Sequence, residues 1–308
     1  MGGVKEKRKS PGIQLAKTPR TIYTWRGVKL FQFKTAEDKN TQVGFIARDG
    51  SYRKTIPPSG NTIHGSILDQ SQKEPANWED FPNISEQFTY CPPISHPSKI
   101  IGVAGNFSPG QTSLGFKNSI SSLQLFSKSP SSLASPNSTL EISPEQLVDF
   151  EAELALIIGR DICNVSIEEA AHAILGYTIA NDISDRALQG DGRAFFRAKS
   201  RDGYCPLGPF LVPPEELDFN VDLKICSYLN GELMQSASAS EMTYSPAEIV
   251  QYISRSTRLL PGDIILLGAP PGYGMHQVPP RFLKSADKVR IEITGLGQQH
   301  LSIRAPKD

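Results

Sequence analysis

Residues 148–161 read VDFEAELALIIGRD and form the clearest strand pattern in the sequence. From Ala152 to Ile158 only one residue is charged, which is typical of a strand buried in a sheet. Successive side chains of a strand point to opposite faces, so Glu151 and Glu153 share one face, and that face becomes apolar farther along. A buried strand with two carboxylates on one face needs an explanation.

Two interpretations of this pair of glutamates stay open from the residues alone. Charged side chains are usually exposed, so the pair could occupy the wet end of a half-exposed strand, satisfied by solvent or salt bridges. Alternatively, Cα atoms two residues apart on a strand are about 6.6–6.8 Å apart, so both carboxylates can converge on one cation. A cation would offset the cost of burying two like charges.

The composition is that of an ordinary globular protein. The chain has 308 residues, 38% of them hydrophobic, which is enough for one large domain and a minor one. Lys and Arg number 32 and so do Asp and Glu, which gives a formal net charge of zero. We therefore expect neither a nucleic acid nor an anionic membrane as the partner.

The cysteines and the hydropathy pattern indicate an intracellular protein. The four cysteines are scattered without a CxxC pair, and no basic segment followed by an apolar run opens the sequence. No apolar run approaches the roughly 20 residues that span a bilayer. The sequence thus predicts free thiols and a cytoplasmic location.

Three regions are predicted along the chain. Residues 1–20 are basic and polar without apolar periodicity, which indicates a flexible arm. Residues 21–93 hold short β-rich runs, with a hairpin turn at Asp49 and Gly50, and form a small N-terminal β domain whose polar part, 71–93, is a linker. Residues 94–308 form the main domain.

The main domain is predicted to be α+β and mostly β. One helix begins at Ser166 and ends at Gly176, and another begins at Ser245, each with a capping box. The remaining apolar runs are predicted strands, including residues 123–128 (LQLFSK), 177–182 (YTIAND), 263–270 (DIILLGAP) and a C-terminal hairpin within 287–304.

Five ordered segments resemble the signature segments of the fumarylacetoacetate hydrolase family. They are DFEAELALIIGRD, GYTIANDISDR, RAKSRDGYCPLGPFLV, YLNGELMQ and LLPGDIILLGAPPGYG, and KIIGVAGNF is similar to the family's first core strand. The resemblance covers nearly the whole chain after the basic arm. It implies a mixed β-roll core and a homodimer.

The resemblance also implies a divalent metal site. The residues carried over as metal ligands are Glu151, Glu153 and Asp182, and Lys199 of the RAK segment would lie beside the negative charge that develops on the substrate. Carboxylate ligands without His or Cys favour hard cations, so the expected cofactor is Mg²⁺, with Mn²⁺ or Ca²⁺ as alternatives. The expected substrate is a small keto acid. Further residues expected to contact it are Arg186, Gln189, Arg197, Tyr204 and Ala269.

The chain also departs from the family pattern. Where family members carry a water-activating His and Glu after the first core strand, this sequence has Gly110 and Ser113. Ala269 replaces a threonine that contacts the substrate carboxylate. His276, in a loop rich in Gly and Pro, is the candidate for a relocated catalytic base.

Three functions are compatible with a metal site that lacks the usual base. The favoured one is an enzyme that decarboxylates, tautomerises or cyclises a β-keto or otherwise enolisable substrate through a metal-bound enolate. The alternatives are a carbon–carbon bond hydrolase with a relocated base, and a catalytically inactive metal-binding paralogue. Buried carboxylates without a metal are costly, which favours the enzyme.

Overall fold

The computed structural model describes residues 28–47, 49–54, 81–107, 123–190, 194–219 and 223–306. The predicted class is confirmed, because most of the ordered structure is β and the few helices are short. The predicted arm, Gly110 and Ser113 lie outside the described residues.

The N-terminal strands form a four-stranded antiparallel sheet in the order β3-β2-β1-β4. The predicted hairpin turn joins β2 to β3, and Gly50 in it has a positive φ of 82°. The strands of this sheet are β1 (Lys29–Thr35), β2 (Gln42–Ile46), β3 (Tyr52–Lys54) and β4 (Phe88–Cys91).

One of these strands corrects the sequence prediction. Phe88–Cys91 lies in the stretch predicted to be a linker, yet it pairs with β1, with Phe33 opposite Tyr90. The aromatic rings of Phe31 and Phe88 stack with centroids 5.5 Å apart, so the burial of aromatic surface holds the strand in place. β1 also exchanges backbone hydrogen bonds with Leu211, at 3.0 and 2.8 Å, which joins this sheet to the rest of the molecule.

The second sheet is central and has the order β11-β10-β16-β5-β6. Its strands are antiparallel except for the parallel pair β16 and β5. Every residue of β10 is buried, as expected for a strand between two neighbours and under packing on both faces. The strands are β5 (Ile100–Ala104), β6 (Gln124–Lys128), β10 (Ala152–Ile158), β11 (Ile174–Asn181) and β16 (Ile264–Leu266).

The third sheet has the order β15-β14-β17-β18-β8 and includes the predicted C-terminal hairpin. Alternate residues of β18 are buried and exposed, which shows that one face of this sheet meets the core. The strands are β8 (Asn137–Glu141), β14 (Lys224–Leu229), β15 (Glu232–Ser238), β17 (Lys288–Ile293) and β18 (Gly297–Arg304). Two short pairs, β9 (Val148–Asp149) with β12 (Ser184–Asp185) and β7 (Leu133–Ala134) with β13 (Cys205–Pro206), complete the β structure.

Four α-helices lie within the described residues: α1 (Ile167–Ala173), α2 (Arg186–Gln189), α3 (Phe195–Lys199) and α4 (Pro246–Ser254). Both predicted capping boxes are present, at Ser166 and Ser245. The predicted end of the first helix was wrong, since α1 stops at Ala173 and Gly176 lies in β11. A Cβ at Gly176 would lie 2.7 Å from the Val212 carbonyl oxygen, so this glycine permits close strand packing.

Among the described residues, no helix is both long enough and apolar enough to cross a membrane.

Candidate metal centre and active site

The two glutamates and Asp182 meet where β10 begins and β11 ends. Ala152 at the start of β10 pairs with Asn181 at the end of β11, and the Asp182 N–H donates to the Glu151 carbonyl oxygen at 2.9 Å. Antiparallel pairing therefore brings residues about 30 positions apart in sequence to the same edge of the sheet. Glu151 lies just before β10, whereas Glu153 lies within it.

The three side chains form one buried carboxylate cluster, which we call the triad: Glu151, Glu153 and Asp182. One carboxylate oxygen from each lies within 4.8 Å of the others, and the residues are 7%, 1% and 0% exposed. The interpretation of the glutamates as an exposed strand end is therefore wrong. An all-oxygen donor set of this kind fits a hard divalent ion.

Two buried lysines neutralise part of the triad. Lys199 at the end of α3 donates to Glu151 at 2.7 Å, to Asp182 at 2.6 Å and to Ser184 at 2.7 Å. Lys128 at the end of β6 donates to the other oxygen of Asp182 at 2.6 Å. Burial alone would lower the pKa of Lys199, but the charges of Asp182 and Glu151 raise it, so the ammonium group stays protonated.

Arg186 links the triad to a fourth buried carboxylate, Asp149. Its guanidinium bonds Asp149 at 2.9 and 3.1 Å and Glu151 at 2.5 Å. Gln189 accepts a hydrogen bond of 2.8 Å from the same guanidinium and so holds its orientation. Burial opposes ionisation of Glu151, but Lys199 and Arg186 keep the pKa of this carboxyl below its ordinary value.

Glu153 is the triad member with the least compensation. Within the described chain its side chain forms no ion pair, and it accepts one hydrogen bond, from the Gly268 N–H at 2.7 Å. Burial, followed by the charges of Asp182 and Glu151, raises the pKa of Glu153 well above its ordinary value. A divalent cation would relieve this crowding of like charges.

The charge balance of the cluster also fits a cation. Four carboxylates face three cationic side chains, an excess of one negative charge when all are ionised: Asp149, Glu151, Glu153 and Asp182 against Lys128, Arg186 and Lys199. A divalent ion would make the site positive by one. A positive site next to buried ammonium and guanidinium groups suits an anionic substrate on which further negative charge develops.

The loop after β16 forms one wall of the site. It touches the triad at Gly268, and farther on the N–H groups of Gly274 and Met275 donate to Asp149 at 2.7 and 3.0 Å. Between these points the ring of Tyr273 lies against Arg186, with the guanidinium carbon 5.1 Å from the ring centroid.

The other residues predicted from the sequence are distributed around this centre. Ala269, partly buried, follows Gly268 directly. His276 is exposed, its ring centroid lies 4.1 Å from that of Tyr273, and among the described residues no hydrogen bond joins it to the triad. His276 is thus at the rim of the site.

Two predicted substrate residues lie apart from the triad. Tyr204 is buried and its hydroxyl accepts a hydrogen bond of 3.2 Å from Gln146. Burial, followed by the charge of Asp185, raises the pKa of Tyr204 to about 12. Arg197 is exposed and forms no ion pair within the described part of the chain, although it lies on the same helix as Lys199.

Two residues of the buried charge cluster, Asp149 and Lys128, were not predicted from the sequence. Asp149 carried a usable signal, because it stands two positions before Glu151 and continues the alternation that led to the glutamates. Lys128 carried almost none, since a lysine at the end of an apolar strand is usually solvated. Lys128 reaches the Asp182 carboxylate because β6 pairs with β5, a contact between segments that the local sequence does not show.

The family model described as "Fumarylacetoacetate (FAA) hydrolase C-terminal" matches residues 99–304. The chain belongs to the fumarylacetoacetate hydrolase family. The match includes the triad, both lysines and the loop after β16, so the resemblance read from the sequence is confirmed.

Curated relatives of this chain include proteins that are named as oxaloacetate tautomerases. The chain is 36% identical over 214 residues to the Bos taurus protein "Oxaloacetate tautomerase FAHD2B, mitochondrial". The alignment covers 68% of this chain and 68% of the relative. It is also 38% identical over 258 residues to "Oxaloacetate tautomerase YisK" of Bacillus subtilis. That alignment covers 77% of this chain and 85% of the relative.

Solved structures of family members share the fold over most of the chain. A fumarylacetoacetate hydrolase from Exiguobacterium antarcticum aligns with a TM-score of 0.80 and 29% identity, covering 91% of this chain and 100% of the other. A 5-carboxymethyl-2-hydroxymuconate delta-isomerase from Mycobacterium smegmatis aligns with a TM-score of 0.70, 28% identity and the same coverage. The β-roll of the family is therefore the fold of this chain.

Proposed function

We propose that the protein is a divalent-metal-dependent tautomerase that interconverts the keto and enol forms of a small keto acid, with oxaloacetate as the substrate. The observation that carries the proposal is the buried triad with Lys199 bonded to two of its members. The similarity to two proteins named oxaloacetate tautomerase supports the choice of substrate.

The triad would hold the ion through Glu151, Glu153 and Asp182. The ion would supply positive charge that stabilises negative charge on a substrate oxygen. Lys199 adds a buried cation on the same side, since its ammonium group is fixed by hydrogen bonds to Glu151, Asp182 and Ser184. Arg186 adds a second cation, and its pairing with Asp149 keeps it in place.

Tautomerisation needs less from the protein than hydrolysis does. Hydrolysis requires a base that deprotonates water, and a positioned general base contributes about 10²–10⁴-fold to rate. Keto–enol exchange releases one proton from a carbon of the substrate to solvent water and returns one to a substrate oxygen, or the reverse, so no water has to be activated as a nucleophile. A chain with Gly110 and Ser113 at the positions of the family's His and Glu is therefore better suited to tautomerisation.

The test follows the decay of enol oxaloacetate by its ultraviolet absorbance, with Mg²⁺ present and after chelation with EDTA. We expect acceleration with Mg²⁺ and none after chelation. Glu153→Gln should abolish the acceleration, because it removes one of the three ligands.

Glu141→Gln is the matched control, because Glu141 is an exposed residue of β8 that pairs with Arg304. This variant should behave as wild type. Equal rates with and without protein at saturating Mg²⁺ would refute the proposed function.

The metal and the assembly are part of the same proposal. Oxygen ligands favour Mg²⁺ or Mn²⁺. By family resemblance we propose a homodimer with two-fold symmetry, which light scattering at micromolar concentration would test. A monomer mass would contradict it.

A further inference from the structure

Close packing fixes Tyr273 on both sides. A Cβ on Gly272 would lie 2.3 Å from the Met234 carbonyl oxygen, and Gly272 has a φ of +109°. A Cβ on Gly274 would lie 2.1 Å from the Arg281 carbonyl oxygen. Both neighbours of Tyr273 must therefore be glycine, and the backbone that carries its side chain has little freedom.

The loop that carries Tyr273 is bonded to the site before and after this residue. The Gly268 N–H donates to the Glu153 carboxylate at 2.7 Å, and the Gly274 N–H donates to Asp149 at 2.7 Å. Tyr273 is thus one of five residues between two anchors on the site's own carboxylates, and it directly precedes the second anchor.

The ring of Tyr273 contacts the site through Arg186. The guanidinium carbon lies 5.1 Å from the ring centroid, within the range of a cation–π contact. The same guanidinium bonds Glu151 at 2.5 Å, so one side chain separates the ring from the triad.

Within the described residues, the hydroxyl of Tyr273 is a donor without an acceptor. Tyr273 is partly buried, and its hydroxyl forms no hydrogen bond with any residue that the structure describes. This hydroxyl is not one of the fully buried polar atoms that lack a partner in the described residues, so solvent or a bound molecule can reach it. Burial, followed by the charge of Glu151, raises the pKa of Tyr273, while Arg186 opposes this effect. The group therefore keeps its proton at neutral pH and can donate it in a hydrogen bond.

We propose that Tyr273 is a catalytic residue whose hydroxyl donates a hydrogen bond to the substrate oxygen that becomes negative as the keto acid enolises. The proposal rests on the proposed tautomerase function. The hydrogen stays on the phenolic oxygen, so this residue transfers no proton and breaks no bond. It stabilises charge in the transition state, as a donor of an oxyanion hole does.

The test is Tyr273→Phe, which removes the hydroxyl and keeps the ring against Arg186. Loss of one such donor typically lowers kcat by about 10²–10³-fold. We expect a fall of this size in the Mg²⁺-dependent tautomerisation of oxaloacetate. KM should change much less, because the donor acts mainly in the transition state. The Mg²⁺-induced shift in melting temperature should equal that of wild type.

Tyr228→Phe is the matched control. The Tyr228 ring on β14 also lies under an arginine, with the Arg290 guanidinium carbon 3.8 Å from its centroid, but this pair involves none of the triad. The control should keep the wild-type kcat. A Tyr273→Phe enzyme with at least half the wild-type kcat would overturn the proposal. It would also be overturned if His276→Ala abolished activity while Tyr273→Phe kept it.

A second measurement separates the two proposals. Oxalate resembles a planar enolate, and its binding to the Mg²⁺-loaded protein can be measured by calorimetry. We expect Tyr273→Phe to weaken oxalate binding about tenfold, which corresponds to about 1.4 kcal/mol. If the wild type shows no tautomerase activity but this weakening occurs, the donor role of Tyr273 is supported and the proposed tautomerase function is wrong. If Tyr273→Phe binds oxalate as tightly as the wild type, the assignment of Tyr273 as a donor is wrong, even if the wild type is inactive.

Discussion

Asp182 is the residue on which the buried charges of the site converge. Lys128 bonds one of its carboxylate oxygens and Lys199 bonds the other, each at 2.6 Å. All three side chains are at most 3% exposed. Removal of one partner from a buried ion pair leaves an uncompensated charge, which typically costs 3–5 kcal/mol.

The first prediction concerns Lys128→Met, which keeps the length of the side chain and removes its charge. The free energy of unfolding of the metal-free protein should fall by about 3–5 kcal/mol, because Asp182 loses one of its two lysines. Urea denaturation in EDTA measures it. Lys288→Met, at an exposed position of β17, is the control and should change stability by less than about 0.5 kcal/mol. A loss below 1 kcal/mol for Lys128→Met would show that this ion pair is not needed.

At the scale of elements, the pairing of β5 with β6 determines where α3 lies. Gly102 stands opposite Phe126, and a Cβ on this glycine would come within 2.1 Å of the Phe126 ring. The Phe126 ring stacks on Phe195 of α3 at 5.2 Å and lies 4.9 Å from the Lys199 ammonium. Because Gly102 has no side chain, the Phe126 ring can pack against α3, the helix that carries Lys199.

The second prediction is that Gly102→Ala will lower both stability and activity. The added methyl group must displace the Phe126 ring, and overpacking of this kind typically costs 1–3 kcal/mol. Because Phe126 supports α3, kcat for tautomerisation should fall as well. The double variant Gly102→Ala with Phe126→Leu makes room for the methyl group and should recover part of the lost stability. Equal stability of wild type and Gly102→Ala would contradict the role assigned to this contact.

For the whole molecule, the triad lies at the junction of central strands. β10 and β11 both belong to the large core, and their residues near the triad are buried. An ion held there would bind the folded state alone, since the ligands are far apart in an unfolded chain. Ligand binding of this kind raises the free energy of unfolding by about 2.7 kcal/mol when the ligand is at 100 times its dissociation constant.

The third prediction is that saturating Mg²⁺ or Mn²⁺ stabilises the protein by about this amount, and that EDTA removes the effect. Glu153→Gln should lose the response to metal. Without metal it should be at least as stable as wild type, because Glu153 carries the least compensated charge of the triad. Chemical denaturation measures both. Glu141→Gln should respond as wild type does, and a Glu153→Gln variant with the full metal response would contradict the assignment of this ligand.

Local patterns in the sequence were enough to find the two glutamates and the helix starts, whereas Asp182 was assigned only through the family resemblance. The two glutamates follow strand alternation, and the capping boxes at Ser166 and Ser245 are local motifs. Contacts between distant segments were not predictable in this way. Strand Phe88–Cys91 is stabilised by pairing with β1 more than 50 residues earlier, and Lys128 belongs to the charge cluster only because the fold places it against Asp182.

The cations already present in the site also bear on how the protein exchanges its metal. Lys128, Lys199 and Arg186 each hold a carboxylate in the cluster, so an arriving ion competes with ammonium and guanidinium groups for the same oxygens. Such competition weakens binding and allows the folded protein to release its ion without unfolding. We therefore expect Mg²⁺ and Mn²⁺ to replace each other readily, so that the supply of ions around the protein determines which one it carries.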